Sequence, residues 1–370
     1  MAVFMTNAIG LWDWQRVGNL SREVEIYRKL AEDGWRISFY TYDRRRVLPE
    51  IDLQANIVTQ WPFVLPKRFS FLYEAAIPLF RFWRGRANSL VITNQAHSGW
   101  PAILAGRLWN SKVVARCGMV FGESAETLGL SGRKVERKKS LEKYTFQNAD
   151  HCVVPSEHLA GWIRRHYLIE SSKINVIPNY VDTRLFKPKR TLHKSTDVLY
   201  VGRLSEVKRP QLILESALNR SWRIRIIGNG NLLLNLQQFA EANRIDLDLI
   251  QRVPNEKLAD FYNDSKVFAL MSSWEGHPKT LIEAMSCGCA CVCCKSPGIA
   301  NLIKDGETGI LVNPSAKDIS KAIQTLINNS ELRSCIGEYA RKYAINHFSL
   351  DRVYRRYDQL LEELLLNEHE

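Results

Sequence analysis

Ser273-Trp274-Glu275-Gly276-His277-Pro278-Lys279-Thr280-Leu281-Ile282-Glu283-Ala284-Met285 lies between two apolar runs, Val267–Met271 before it and Ala290–Cys294 after it. Both runs read as strands. Gly276 and Pro278 break the chain after the first, and proline favours the first helical position. Lys279–Ser286 then reads as a helix. Strand, loop, helix and strand make one repeat of an α/β fold, in which a parallel sheet is covered by helices on both faces.

Working outward, the alternation continues. Upstream come strand Val198–Val201, a helix from about Pro210 to Leu218, strand Arg223–Ile227, helix Leu232–Ala242, strand Leu247–Gln251 and helix Glu256–Asp264. These make a doubly wound unit over about 190–345. Pro178 to Leu192 has neither helical nor strand period, holds Pro178 and Pro188, and reads as a joint. The first half has its own alternation, and residues 1–180 are expected to form a second such domain. Its elements are strand Met1–Met5, a polar loop Thr6–Asn19, helix Leu20–Glu32 stopped by Asp33-Gly34, and strand Trp35–Tyr42. Strand Leu90–Thr93, helix Trp100–Trp109 and strands Lys112–Ala115 and Asp150–Val154 follow. A long helix from about Leu350 to Leu366 closes the chain; the segment 350–370 is expected to complete the first domain. Two open α/β sheets predict a cleft between them, with ligands beyond the carboxyl ends of the strands.

Composition agrees with a globular chain: 45% of residues are hydrophobic and 24% charged, which excludes a disordered or collagen-like protein. Apolar stretches such as Phe71–Trp83 are broken by Glu74 and Arg81, so no segment reaches the ~20 residues a spanning helix needs. The N-terminus lacks a basic region followed by an apolar core, so no signal peptide is expected. The expected location is the cytoplasm, with peripheral contact to the inner face of the plasma membrane as an option.

Charge is uneven. Of a net +12, residues 1–180 carry 25 basic and 16 acidic side chains, and the rest 26 and 23. The excess gathers at Arg44-Arg45-Arg46, at Arg81, Arg84 and Arg86, and from Arg133-Lys134 to Lys143. Such clusters suit an anionic membrane surface or a phosphorylated substrate, or are simply a solvated face. With Trp61, Phe63, Phe69, Phe71 and Trp83, the segment Phe71–Arg84 reads as an amphipathic interfacial stretch or as a core helix with a basic rim. No nucleic-acid motif accompanies the basicity, so no nucleic acid is expected as partner.

Cys287, Cys289, Cys291, Cys293 and Cys294 crowd one segment. On a single strand they cannot surround one metal ion tetrahedrally, and they read as small buried hydrophobes.

Glu275 and Glu283 lie eight residues apart. On one helix that spacing is ~12 Å of rise. Gly276 and Pro278 change this: Glu275 falls on the incoming loop and Glu283 about one turn inside the helix. Both are then able to face a ligand at the helix start, where the N–H groups of Lys279 and Thr280 offer an anion site. Carboxylates accept hydrogen bonds from hydroxyls. Hydroxyls plus phosphate describe a nucleotide sugar, although two capping or surface glutamates would give the same pattern. Gly202 and Arg203 end a strand, and Lys208 follows; Gly202 allows close backbone approach, while the two cations suit a diphosphate. Gly228-Asn229-Gly230 follows another strand but has Leu233 where a dinucleotide fingerprint needs its third glycine.

These motifs, with Pro178-Asn179-Tyr180-Val181-Asp182 and Phe186, resemble the retaining GT-B glycosyltransferases of family 4 in order and spacing. Asn255–Tyr262 before a strand and Phe348 before the last helix add to the resemblance. It is strong over about 175–350 and looser over 1–175, where Gly18 with its following helix carries it. It implies two facing doubly wound domains and transfer of a sugar from a nucleotide diphosphate to a hydroxyl with retained configuration. It implies that Glu275 contacts the donor sugar, Glu283 the ribose hydroxyls, and Arg203 and Lys208 the diphosphate. Lys279 and Thr280 add backbone bonds, Gly228 lines the donor loop, and the segment around Val253 borders the base. No metal or other cofactor is expected. The acceptor, a glycan or lipid-linked sugar, would meet the first half. Many relatives carry a His after the strand corresponding to Lys112–Ala115; here Arg116 and Cys117 stand there, and His97 lies on another early loop. A binding protein that kept the nucleotide site without transfer is the alternative reading, and a basic RNA-binding protein a more distant one.

Overall fold

The computed structural model describes residues 1–6, 10–41, 57–60, 76–80, 85–86, 89–189 and 194–366. The chain divides into two units. The first holds Met1–Pro178 and returns from Tyr354 onward; the second is Asn179–Val353. The boundary thus falls at the start of the expected joint. Val181 and Phe186 are buried in the second unit's core, and Val181 forms a bridge with Ser349, so most of the described joint belongs to that unit.

The first unit carries a seven-stranded parallel sheet in the order β3-β2-β1-β4-β5-β6-β7. Its strands are β1 (Ala2–Phe4), β2 (Ile37–Tyr40), β3 (Ile57–Gln60), β4 (Leu90–Thr93), β5 (Lys112–Arg116), β6 (His151–Val154) and β7 (Ile174–Val176). Strand β4 is buried along its whole length, as a sheet covered on both faces requires. Its helices up to the boundary include α1 (Leu11–Arg16), α2 (Leu20–Glu32), α3 (Trp100–Trp109), α4 (Phe121–Thr127), α5 (Arg133–Asn148) and α6 (Glu157–Tyr167).

The stretch Thr6–Asn19, expected as loop, contains α1. Leu11 and Trp14 are buried three residues apart, and the Gly10 N–H donates to the Asp13 carboxylate, so a short helix forms where polar residues hid the period. The strand expected over Trp35–Tyr42 is shorter, Ile37–Tyr40. The clusters Arg44-Arg45-Arg46, Trp61, Phe63, Phe69, Phe71, Arg81, Trp83 and Arg84 lie outside the described residues.

The second unit repeats the design with six parallel strands in the order β10-β9-β8-β11-β12-β13. They are β8 (Thr196–Val201), β9 (Arg223–Ile227), β10 (Asp246–Ile250), β11 (Ser265–Leu270), β12 (Ala290–Cys294) and β13 (Ile310–Val312). Helices α7 (Gln211–Ser216), α8 (Leu233–Ala242), α9 (Leu258–Asp264), α10 (Lys279–Ser286), α11 (Ala316–Asn328) and α12 (Ser330–Phe348) cover it. The five clustered cysteines are free thiols buried in this core.

The last helix, α13 (Leu350–Leu366), begins in the second unit and continues as part of the first. There Asp358 accepts from the Trp35 indole at 3.0 Å, the Tyr354 hydroxyl donates to Asp33, and Arg356 donates to the Val176 carbonyl at 2.6 Å.

In both sheets the strand order reverses once, between β1 and β4 and between β8 and β11. Loops leaving the carboxyl ends of these neighbours diverge, and a crevice opens where they part.

Candidate active site

In the second unit the crevice is lined by the loops after β8 and β11. After β8 come Gly202, Arg203 and a single 3₁₀ turn, Glu206–Lys208. After β11 comes the segment that ends at α10. The two loops are tied by backbone: Ser273 N–H donates to the Val207 carbonyl at 2.8 Å. They are also tied by charge, because Lys208 Nζ lies 2.6 Å from Glu275 Oε1. The Glu275 side chain is 9% exposed and that of Lys208 24%, so the pair is partly shielded from water. Ser272 Oγ donates to the same Glu275 oxygen at 2.6 Å.

Glu275 is fixed from behind as well. Its N–H donates to the Pro297 carbonyl at 3.2 Å. Gly298, in the left-handed region at φ +79°, passes so close that a Cβ there would lie 1.9 Å from the Glu275 carbonyl oxygen. The Asn179 amide donates to the His277 carbonyl at 2.8 Å, so the Pro-Asn motif braces the same loop. His277 is buried and packs edge-on against Phe348. Burial, helped by Lys279, pushes its imidazole down to about 3.

Arg203 is exposed, and its guanidinium has no hydrogen-bond or ion-pair partner among the described residues. It is a cation available to a ligand. Lys279 and Thr280 open α10, where first-turn N–H groups have no intrahelical acceptor. The Lys279 ammonium sits 5.8 Å from the Tyr180 ring centroid.

Within the protein, Glu275 and Glu283 take different partners. Glu283 is 1% exposed; its Oε1 accepts from the Asn255 amide at 3.0 Å and its Oε2 from the Tyr262 hydroxyl at 3.1 Å. Gly202 N–H is already spent on the Ile227 carbonyl at 3.0 Å. Gly228 and Gly230 serve loop packing: a Cβ at Gly230 would lie 2.0 Å from the Leu204 carbonyl oxygen. Val253, beyond β10, is half-buried against the core.

In the first unit the switch point lies between β1 and β4. Asn94 donates to Thr6 Oγ1 at 3.2 Å. Just beyond, Gln95 Oε1, His97 Nδ1 and Ser98 Oγ are buried without a hydrogen-bond partner among the described residues. Burial lowers the His97 imidazole to about 4, with Lys138 adding to the effect, and its ring lies 5.9 Å from that of Phe121. Arg116 ends β5, and its carbonyl accepts from Thr93. Cys117 is buried, and burial raises its thiol well above the usual range. Gly18 stands at φ +74° in the turn between α1 and α2, a position that favours glycine for backbone reasons alone.

The roles of Ser272, Gly298, Asn179, Asn255 and Tyr262 show only in the structure; Pro297-Gly298, shortly after strand β12, is the sequence signal for one of them.

The family model for glycosyl transferases group 1 matches residues 182–343, and that for glycosyltransferase family 4 matches residues 24–185. The chain spans about three-fifths of the length of the first curated relatives it matches. N-acetyl-alpha-D-glucosaminyl L-malate synthase of Bacillus anthracis is 22% identical over 92% of each chain. Among solved structures, sucrose-phosphate synthase from Thermosynechococcus elongatus superposes with a TM-score of 0.84 at 18% identity, over 99% of both chains. The Anabaena protein HepE, in complex with UDP and glucose, superposes at 0.77 with 14% identity, over 98% of this chain and 99% of that one. With two doubly wound units, a paired lysine and glutamate at the second switch point and these matches, the chain belongs to the group 1, family 4 glycosyltransferases and has their GT-B fold.

Proposed function

We propose that the protein transfers a hexose from a nucleotide-diphosphate sugar to a hydroxyl acceptor with retention of configuration, in the assembly of a surface glycan, lipopolysaccharide or glycolipid. The observation that carries the reading is the Lys208–Glu275 pair at the switch point of the second sheet, with Arg203 exposed on the same loop as Lys208. Expulsion of a diphosphate from an oxocarbenium-like carbon needs fixed positive charge at the leaving group. Arg203 and Lys208 supply it, so the proposed mechanism uses no metal. Glu275 accepts a hydrogen bond from a sugar hydroxyl. Glu283, oriented by Asn255 and Tyr262, accepts from the ribose. Gly202, Gly228 and Val253 shape the donor loops, and the first-turn N–H groups of Lys279 and Thr280 meet the phosphates. The similarity to HepE, solved with UDP and glucose, supports a uridine nucleotide as first candidate.

The acceptor is assigned to the first unit, at the turn holding Gln95, His97 and Ser98, with Arg116 and Gly18 on the same side. A cytoplasmic protein meeting an anionic bilayer at its inner face would suit a lipid-linked acceptor. Helix α5 supports this, with Arg133, Lys134, Arg137 and Lys138 all exposed. Among the described residues no helix is long and apolar enough to cross a membrane.

The buried Cys117, where relatives carry a His, favours a second reading: a nucleotide-sugar binder without transfer. A panel of UDP-glucose, UDP-N-acetylglucosamine and GDP-mannose, assayed for binding by calorimetry and for slow hydrolysis, separates the two. Binding with hydrolysis supports the enzyme, binding alone supports the second reading, and neither with any donor defeats both.

A further inference from the structure

Glu275 is held by only one of its oxygens. Oε1 takes both donors, the Lys208 ammonium and the Ser272 hydroxyl, each at 2.6 Å. Oε2 has no hydrogen-bond partner among the described residues and is not sealed from solvent. The carboxylate therefore presents one oxygen outward and keeps one inward.

The two inward donors differ in kind. Lys208 rides on a single 3₁₀ turn, and its side chain is 24% exposed on a flexible stem. It is also the cation that a diphosphate would attract, and an ammonium drawn to phosphate weakens its hold on a carboxylate. Ser272 is fully buried. Its carbonyl accepts from Ser296 Oγ at 2.8 Å, and the next residue, Ser273, is bonded to Val207 through both its N–H and its hydroxyl. A hydroxyl on so constrained a backbone, away from competing water, stays where it is when charge arrives nearby.

We infer that Ser272 is a positioning residue for sugar transfer. It keeps Glu275 Oε1 seated while Lys208 turns to an incoming diphosphate, so that Oε2 remains aimed at a hydroxyl of the donor sugar. This rests on the reading that Glu275 touches that sugar. The lysine is then shared between resting pair and leaving group, and the serine is the part of the seat that does not move.

The test uses the full chain with UDP and UDP-glucose as probes. S272A removes the hydroxyl with little change of volume; S272T retains it. Loss of a hydrogen bond to a charged group corresponds to about a tenfold effect. S272A should therefore bind UDP within about twofold of the parent while losing about tenfold in kcat for UDP-glucose turnover, and S272T should recover most of the loss. Crystal structures with UDP should show Lys208 moved toward the phosphates in both proteins. Glu275 should remain on Ser272 in the parent and be rotated away in S272A. Parental kcat in S272A, an unmoved Glu275 in its crystal structure, or a Lys208 that stays on Glu275 with UDP bound would each overturn the inference. E275Q separates the two claims. If it turns over normally, Glu275 does not touch the sugar; if it fails while S272A does not, only the role of Ser272 is lost. Should UDP-glucose not be turned over, the structures with UDP still decide whether Ser272 holds Glu275.

Discussion

A Cβ at Gly228 would lie 1.8 Å from the Gly202 carbonyl oxygen, so the loops after β8 and β9 touch backbone to backbone. The obstructing atom is main chain and cannot swing aside. Gly228→Ala should lower stability by about 2–3 kcal/mol and the melting temperature of the second unit by ~5–10 °C. Thermal unfolding with a probe in that unit checks this, and an unchanged midpoint would show that the loops part easily.

Arg203 and Lys208 should behave differently when each is changed to Ala. Among the described residues Arg203 has no partner to leave behind, so R203A should cut turnover by about 10²–10³-fold with stability unchanged. K208A should cut turnover similarly. It also strands the mostly buried Glu275 carboxylate, costing roughly 1–3 kcal/mol of stability. Steady-state kinetics beside urea titrations distinguish the pair; equal stability of both variants would mean that the Lys208–Glu275 contact carries no weight in the free protein.

Tyr262→Phe removes one of the hydrogen bonds to Glu283 inside the second core. The expected cost is about 1.5–3 kcal/mol in stability. Because Glu283 is assigned to the ribose, nucleotide affinity should also weaken by about 5–10-fold while kcat changes little. Calorimetry with UDP measures the first and turnover the second. A fall in kcat at constant affinity would place Glu283 elsewhere in the reaction.

Glu142 and His97 should titrate against each other. Glu142 is fully buried; it accepts from the Phe121 and Gly122 N–H groups and from the Tyr167 hydroxyl, yet burial pushes its carboxyl up to about 7. The folded state therefore holds this proton more tightly than the unfolded chain. That contribution is present below pH 4.5 and is lost as pH rises through 7. His97, lowered from 6.5 to about 4, has the opposite sign: its contribution is present above pH 6.5 and is lost as pH falls toward 4. Between 4.5 and 6.5 the slopes offset, at up to about 1.4 kcal/mol per pH unit each. Glu142→Gln should expose the His97 slope, making the first unit acid-sensitive. Hydrogen exchange of β4 and β5 between pH 5 and 7 reads it, and parallel profiles for the parent and variant would contradict the assignment.

Where a strong period coincided with clear end signals, the sequence was read to the residue. Helices Leu20–Glu32, Trp100–Trp109 and Lys279–Ser286 and strands Leu90–Thr93, Arg223–Ile227 and Ala290–Cys294 are cases. Helix α5 shows in the sequence only as a basic cluster, because its buried side is narrow: Glu142, Thr145 and Phe146. Strands β7 and β13 hold three residues each, too few to show a period. At the site, residue types and their loops were readable from spacing. The pairing of Lys208 with Glu275 was not, because it joins positions 67 apart through the sheet's crossover. Nor was the separate burial of Glu283, which depends on a tyrosine and an asparagine from another helix-loop.

The first unit is made from both ends of the described chain. Its sheet is encoded before Pro178, but Asp358, Tyr354 and Arg356, which bond to Trp35, Asp33 and Val176, are translated only after the whole second unit. On the ribosome the usual order, in which the N-terminal domain matures first, is therefore reversed for final closure. The second unit is complete once Val353 has emerged, while the first waits for α13 through roughly 175 residues' worth of synthesis. At ~5–20 residues per second that is on the order of 10–35 s of exposed apolar surface, an interval in which a nascent-chain chaperone has a target.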